Sequence, residues 1–293
     1  MVVGRKSAKR KEYILGCVER GMGKAMLEIL APVREELFAQ EALVQRALDV
    51  AGGCPPKEHV SAAATVDAEW HNPQKYIRPA LVLLTSRLYQ HRPDVAVPLA
   101  AVHQFIYLAG RVHTGVAEES ALRRKNAREA YQFPVLVGDY LYGRFFTTLC
   151  DAGQDHLLGD LARVISAMNE GGMMRARNAQ GQADYDILEI IRLETAELLA
   201  SCCRLGGVAG GASGPETGHL YNLGLELGLA FGRLEEGHSF PDAAGHLQRA
   251  LNELSLLFCR RTSDQLERFI RLFLACGYPP EGWVLDAAGG LAG

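Results

Sequence analysis

Five groups of residues in this 293-residue chain have the types and spacing of anion or metal chemistry. "KYIRPALVLL" sets Lys75 three residues before Arg78, with Pro79 in the first turn of a helix, where its missing N–H costs nothing; two cations there can hold a diphosphate. "ALRRKN" offers a second cationic pair, Arg123 and Arg124. "LAGRVHTGVAEESALRR" (108–124) carries His113, Glu118 and Glu119 spaced as if around a phosphate–metal site, yet Thr114 and Gly115 stand where carboxylates would serve. "FGRLEEGHSF" supplies Glu235 and Glu236. Glu216-x-x-His219 and Glu235-x-x-His238 have the one-face spacing of di-iron helical bundles. Against that last reading, Pro215 and Gly218 put the first pair at a helix entry, Gly237 weakens the second, and no matching pair of single-Glu helices exists. Any of these charges can equally be a solvated face, and His113 a packed ring.

The elements that must position these residues are helices. Apolar residues recur at three- and four-residue spacing over 26–50, 79–89, 97–112, 135–150, 157–174, 185–208, 221–234, 246–258 and 263–276. Alternating runs and Asn-Gly or Asp-Gly hairpin signals are missing, which predicts an all-α protein. Breaks at "GGCPP", "HNP", "HRPD", "GGASGP" and "SFPD" are too short to link domains. A single domain over 1–285 with a flexible tail over 286–293 follows. Cys202 and Cys203 fall in an apolar helical stretch and read as small core hydrophobes.

Composition sets bounds on function. With 48% hydrophobic and 22% charged residues the chain can bury a large core. A net charge of -3 argues against a general nucleic-acid binder, and the basic run Arg5, Lys6, Lys9, Arg10 and Lys11 reads as a solvated start. Seven scattered cysteines without a Cys-x-x-Cys pair suit a reducing compartment, and uninterrupted apolar runs fall short of a membrane span. A cytoplasmic protein without a transmembrane segment is expected.

Taken in order, "KYIRPALVLL", "RVHTGVAEESALRR", "FPVLVGDYLYGRFF", "EIIRLETAELLASCCRLGG" and "LGLELGLAFGRLEEGHSF" resemble the trans-isoprenyl diphosphate synthases, the polyprenyl synthetase family, from about Lys75 to Phe240. The resemblance implies antiparallel helices around a central cavity, usually in a dimer. It also implies two Asp-Asp-x-x-Asp motifs facing one another. Their carboxylates hold Mg²⁺, which neutralises the departing diphosphate of an allylic substrate before isopentenyl diphosphate attacks. By the same resemblance Lys75, Arg78 and Arg124 correspond to the isopentenyl diphosphate grip, Tyr107 stands where His or Gln is usual, and Arg123 matches an arginine on the allylic side. Asp139 matches a structural position. Small residues at Ala109 and Gly110 suit a long product tunnel.

The departures are as informative as the matches. The first motif reads Thr114-Gly115-Val116-Ala117-Glu118, leaving Glu118 alone of three carboxylates. The second keeps Glu235 and Glu236 but ends in Ser239, and Glu194-Thr195 stands where the family has a diphosphate-binding Lys-Thr. Any Mg²⁺ site would rest on Glu118, Glu235 and Glu236 and be weak. The resemblance therefore implies a non-catalytic or regulatory subunit of a long-chain polyprenyl diphosphate synthase, paired with a homologous catalytic subunit or with itself. The alternatives are an active prenyltransferase with a Glu-based Mg²⁺ site, and a protein that binds isopentenyl or allylic diphosphate without turnover.

Overall fold

The computed structural model describes residues 28–52, 73–119, 127–238, 240–257, 260–277, 284–285 and 291–292. Among the described residues these α-helices follow in chain order: α1 (Arg34–Gly52), α2 (Ile77–Ser86), α3 (Pro93–Glu119), α4 (Ala127–Asp151), α5 (Leu158–Ala179), α6 (Ile187–Ile191), α7 (Glu197–Gly210), α8 (Gly214–Glu235), α9 (Phe240–Ser255) and α10 (Arg260–Gly277). A π-helical segment, Arg192–Ala196, joins α6 to α7, and Pro73–Tyr76 forms a 3₁₀ turn leading into α2. The described strands are two-residue pieces, Val284–Leu285 and Leu291–Ala292, paired antiparallel; the second lies in the segment expected as a loose tail. The molecule is all-α, as its periodicity predicts.

Two boundaries differ from the periodic pattern for one reason. α3 begins at Pro93 and runs through Pro98, and α4 begins at Ala127 and runs through Pro134, although both prolines read as stops. An internal proline removes one donor and crowds one carbonyl, a local cost that packing along a helix of 25 or 27 residues offsets.

The core forms around α3. Its Leu99, Val102, Phe105, Ile106, Leu108 and Ala109 are buried, and the helix touches α1, α2, α4, α5 and α7. By length and hydropathy Pro93–Thr114 could cross a membrane, but 72% of that window is buried inside the bundle, as in a core helix. Glycines set how closely the other layers meet. A Cβ at Gly206 of α7 would strike Thr85 and Val82 of α2, and one at Gly210 would strike the Ser86 carbonyl. On α8, Gly224, Gly228 and Gly232 form a stripe at four-residue spacing, pressed against Leu199 and Ala200, Ala196, and Ile191 respectively. α7 is thus held between α2 and α8 with backbone close on both sides.

Candidate functional site

The cationic half is built where α1, the turn before α2, and α3 meet. Lys75 and Arg78 are both buried, at 9% and 3% exposure. The Lys75 ammonium donates to Glu41 Oε1 at 2.8 Å and lies 4.9 Å from the Tyr76 ring centre. Glu41 comes from α1, on the same stripe as Leu37, Val44 and Leu48, so a carboxylate is set into an apolar face. That displaced charge is the sequence signal for the pair. The Arg78 guanidinium lies over the Tyr107 ring, its central carbon 3.1 Å from the ring centre. Its Nε and Nη1 are buried and have no hydrogen-bond partner among the described residues, and the amide of Gln104, one turn before Tyr107, is in the same state. Arg78 and Tyr107 are therefore brought together, while Lys75 is held by Glu41 and Tyr76. Arg123 and Arg124 lie outside the described residues.

The acidic half is built on the π segment. The amide of Glu197 reaches back five residues to the Arg192 carbonyl, which bulges the helix at Glu194. Glu194 is turned toward α5, where Gly171 leaves room: a Cβ there would come within 2.7 Å of the Glu194 side chain. One turn along α5, Arg175 grips Glu194 with a fork, Nε to Oε2 at 2.9 Å and Nη2 to Oε2 at 2.7 Å. The same Nη2 lies 2.8 Å from Glu236 Oε1 at the end of α8. Burial disfavours the charge on Arg175, but hydrogen bonds and attraction from Glu194 and Glu236 outweigh it and hold its pKa above the ordinary value. The charge reversal at Glu194 is thus answered by a cation four residues after Gly171, which the sequence motifs do not include. Glu235 is exposed, while Ser239 lies outside the described residues.

The first motif ends α3. Thr114 spends its hydroxyl on the Gly110 carbonyl, 2.9 Å away in its own helix, and Gly115 and Glu118 are helical positions whose side chains lie outside the described set. His113 is a packed ring: it lies against Tyr142 at 5.6 Å between centres and meets the Val135 carbonyl at 3.4 Å. Gly138 of α4 is glycine because a Cβ there would collide with that imidazole.

The di-iron spacing is absorbed by other roles. Glu216 accepts from the amide and hydroxyl of Ser213, at 3.0 and 2.6 Å, capping α8. His219 pairs with Glu253 at 2.8 Å. Among the described residues no three His, Cys, Asp or Glu side chains converge as metal ligands. Glu194 and Glu236 meet on the Arg175 guanidinium, as Glu189 and Glu197 do on that of Arg192, so the described donors do not fit a magnesium centre. Cys202 and Cys203 are fully buried, and burial pushes both thiols up, partly opposed at Cys202 by the nearby Arg78 charge.

Comparison with known proteins adds the family. The chain is 29% identical over 171 residues to octaprenyl diphosphate synthase of Escherichia coli K12, covering 55% of this chain and 52% of that one. It is 31% identical over 163 residues to heptaprenyl diphosphate synthase component 2 of Geobacillus stearothermophilus, covering 54% and 51%. The chain thus matches about half the length of these relatives. The crystal structure of a decaprenyl diphosphate synthase from Rhodobacter capsulatus superposes with a TM-score of 0.66 at 21% identity, covering 86% of this chain and 98% of that one, which establishes the shared all-α fold. Residues 62–233 match the polyprenyl synthetase family, more than half of the sequence, and the chain belongs to that family of isoprenoid biosynthesis.

Proposed function

We propose that this chain is a non-catalytic, regulatory subunit of a long-chain polyprenyl diphosphate synthase, working in the cytoplasm with a homologous subunit that carries the chemistry. The observation behind this reading is Arg175 on Glu194 and Glu236. Ionising an allylic diphosphate demands concentrated positive charge on the leaving group, ordinarily from metal ions gathered by carboxylates. Here one of the carboxylates that could gather them, Glu236, is already held by the chain's own arginine, which also pairs with the Glu194 that replaces a diphosphate-binding lysine, and Thr114 and Gly115 bring none from the other side.

Two further features suit a subunit. α4 turns Val135, Leu136 and Phe146 outward, at 40, 64 and 46% exposure, with Asp139, Gly143, Thr147 and Cys150 exposed on the same side. Large apolar side chains gathered on one side of a helix suit a partner of like fold, and the relative designated component 2 makes a homologous subunit the natural candidate. The buried, partly unpaired guanidinium of Arg78 favours a retained anion site, so the subunit would hold isopentenyl diphosphate or the end of a growing chain without turning it over.

The test is to assay the purified chain for Mg²⁺-dependent condensation of isopentenyl diphosphate with an allylic diphosphate, alone and co-purified with a homologue whose aspartate-rich motifs are intact. Inactivity alone, with a change in the partner's rate or product length on mixing, is expected. Substantial prenyl transfer by the single chain would refute the reading in favour of a Glu-based site at Glu118, Glu235 and Glu236.

A further inference from the structure

We infer that Glu41 sets the ligand preference of the Arg78 site: by holding Lys75 it takes one of the two expected cations out of service, so the site engages a single phosphoryl group, on Arg78, and does not tell a monophosphate from a diphosphate. The inference rests on the retained anion site proposed above and narrows its ligand class. Three observations carry it. First, Lys75 is already spent. Its ammonium lies 2.8 Å from Glu41 Oε1, and the two side chains are only 9 and 5% exposed. Parting a buried pair of this kind leaves an uncompensated charge at depth, so an arriving anion must displace Glu41 before it gains anything from the ammonium.

Second, Arg78 is in the opposite state. It is 3% exposed, yet its Nε and Nη1 have no hydrogen-bond partner among the described residues. Its position is fixed by Tyr107, whose ring centre is 3.1 Å from the central guanidinium carbon. Buried N–H donors are as a rule satisfied, so idle ones on a cation point to an acceptor that arrives from outside the chain. Third, Gln104, one turn before Tyr107 on α3, is 1% exposed, and both its amide atoms lack partners among the described residues. An amide adds donors and an acceptor but no charge. Two cations, Lys75 and Arg78, less the carboxylate of Glu41 leave one positive charge, which matches one phosphoryl group. For the second group of a diphosphate, the Lys75 charge is already answered.

The experiment titrates the full chain calorimetrically with inorganic phosphate and, separately, with inorganic diphosphate, and reads the ratio of the two affinities, which a loss of folded protein leaves unchanged. Wild type is expected to bind both with comparable affinity, and Arg78→Gln to lose both. Glu41→Gln frees the ammonium and should shift the ratio toward diphosphate by about tenfold or more. The double variant Glu41→Gln with Lys75→Gln replaces the ion pair by two amides and should keep the wild-type ratio. An unchanged ratio in folded Glu41→Gln overturns the inference, as does a wild type that already prefers diphosphate. If Glu41→Gln does not fold, the double variant decides: a selective loss of diphosphate there would mean that Lys75 leaves Glu41 for the ligand, and the inference falls. Failure of wild type to bind either anion removes the retained anion site and this inference together, whereas a diphosphate-selective wild type removes the inference alone.

Discussion

At the scale of single residues, the instructive positions are charged or titratable groups placed inside the bundle. Lys75 and Arg78 were legible as a cationic pair from spacing alone, but Glu41 was not paired with them, because 34 residues and an unassigned connection separate it from Lys75. His103 was not singled out. It is fully buried on α3, its Nδ1 2.8 Å from the Leu99 carbonyl and its Nε2 3.0 Å from the Ser201 hydroxyl of α7. The carbonyl can only accept, so Nδ1 donates and Nε2 accepts, which fixes a neutral tautomer. Burial lowers its pKa from 6.5 to about 4, the Leu99 hydrogen bond opposing only in part. As pH falls the unfolded chain protonates this ring first, so stability is intact above pH 6.5 and is lost progressively down to about 4. The loss amounts to about 3 kcal/mol at most. Urea unfolding of wild type and His103→Gln at pH 7.5, 5.5 and 4.5 checks this. The variant should be less stable at neutral pH but show a shallower decline, and parallel slopes would remove His103 as the cause.

At the scale of elements, the helices were legible because their apolar faces repeat, and their ends were not, because prolines inside α3 and α4 read as stops. The π segment was invisible for a different reason: one extra residue in a turn rotates the following apolar face by only about 100°, too little to mark out in a five-residue segment. Gly171, which makes room for Glu194 on the facing helix, carries no motif that would have singled it out in the sequence. Glycine roles within one helix can be separated. Gly228 packs against the Cα of Ala196, so Gly228→Ala forces backbone apart and should cost about 1–3 kcal/mol. Gly218, on the same helix, has open space around its Cβ direction, so Gly218→Ala should gain about 0.5–1 kcal/mol. Opposite shifts in urea midpoint are the expected result, and shifts of the same sign would mean that helix propensity, not close approach, governs α8.

At the scale of the whole molecule, family membership was readable because five segments keep their order even where their chemistry has changed. What could not be read was how the altered charge at Glu194 is compensated, since its partner Arg175 comes from another helix and also meets Glu236. Substitutions that look like damage one at a time become matched pairs once the helices are assembled. The enclosure of α7 between α2 and α8 has its own outcome. Solvent can reach its main-chain protons only when the bundle comes apart, so in deuterated buffer those of Leu199 to Leu205 should be the last to be replaced, at a rate set by global opening. That stretch would then act as the molecule's clock for complete unfolding, and early isotope uptake there would show that one flanking helix peels away by itself.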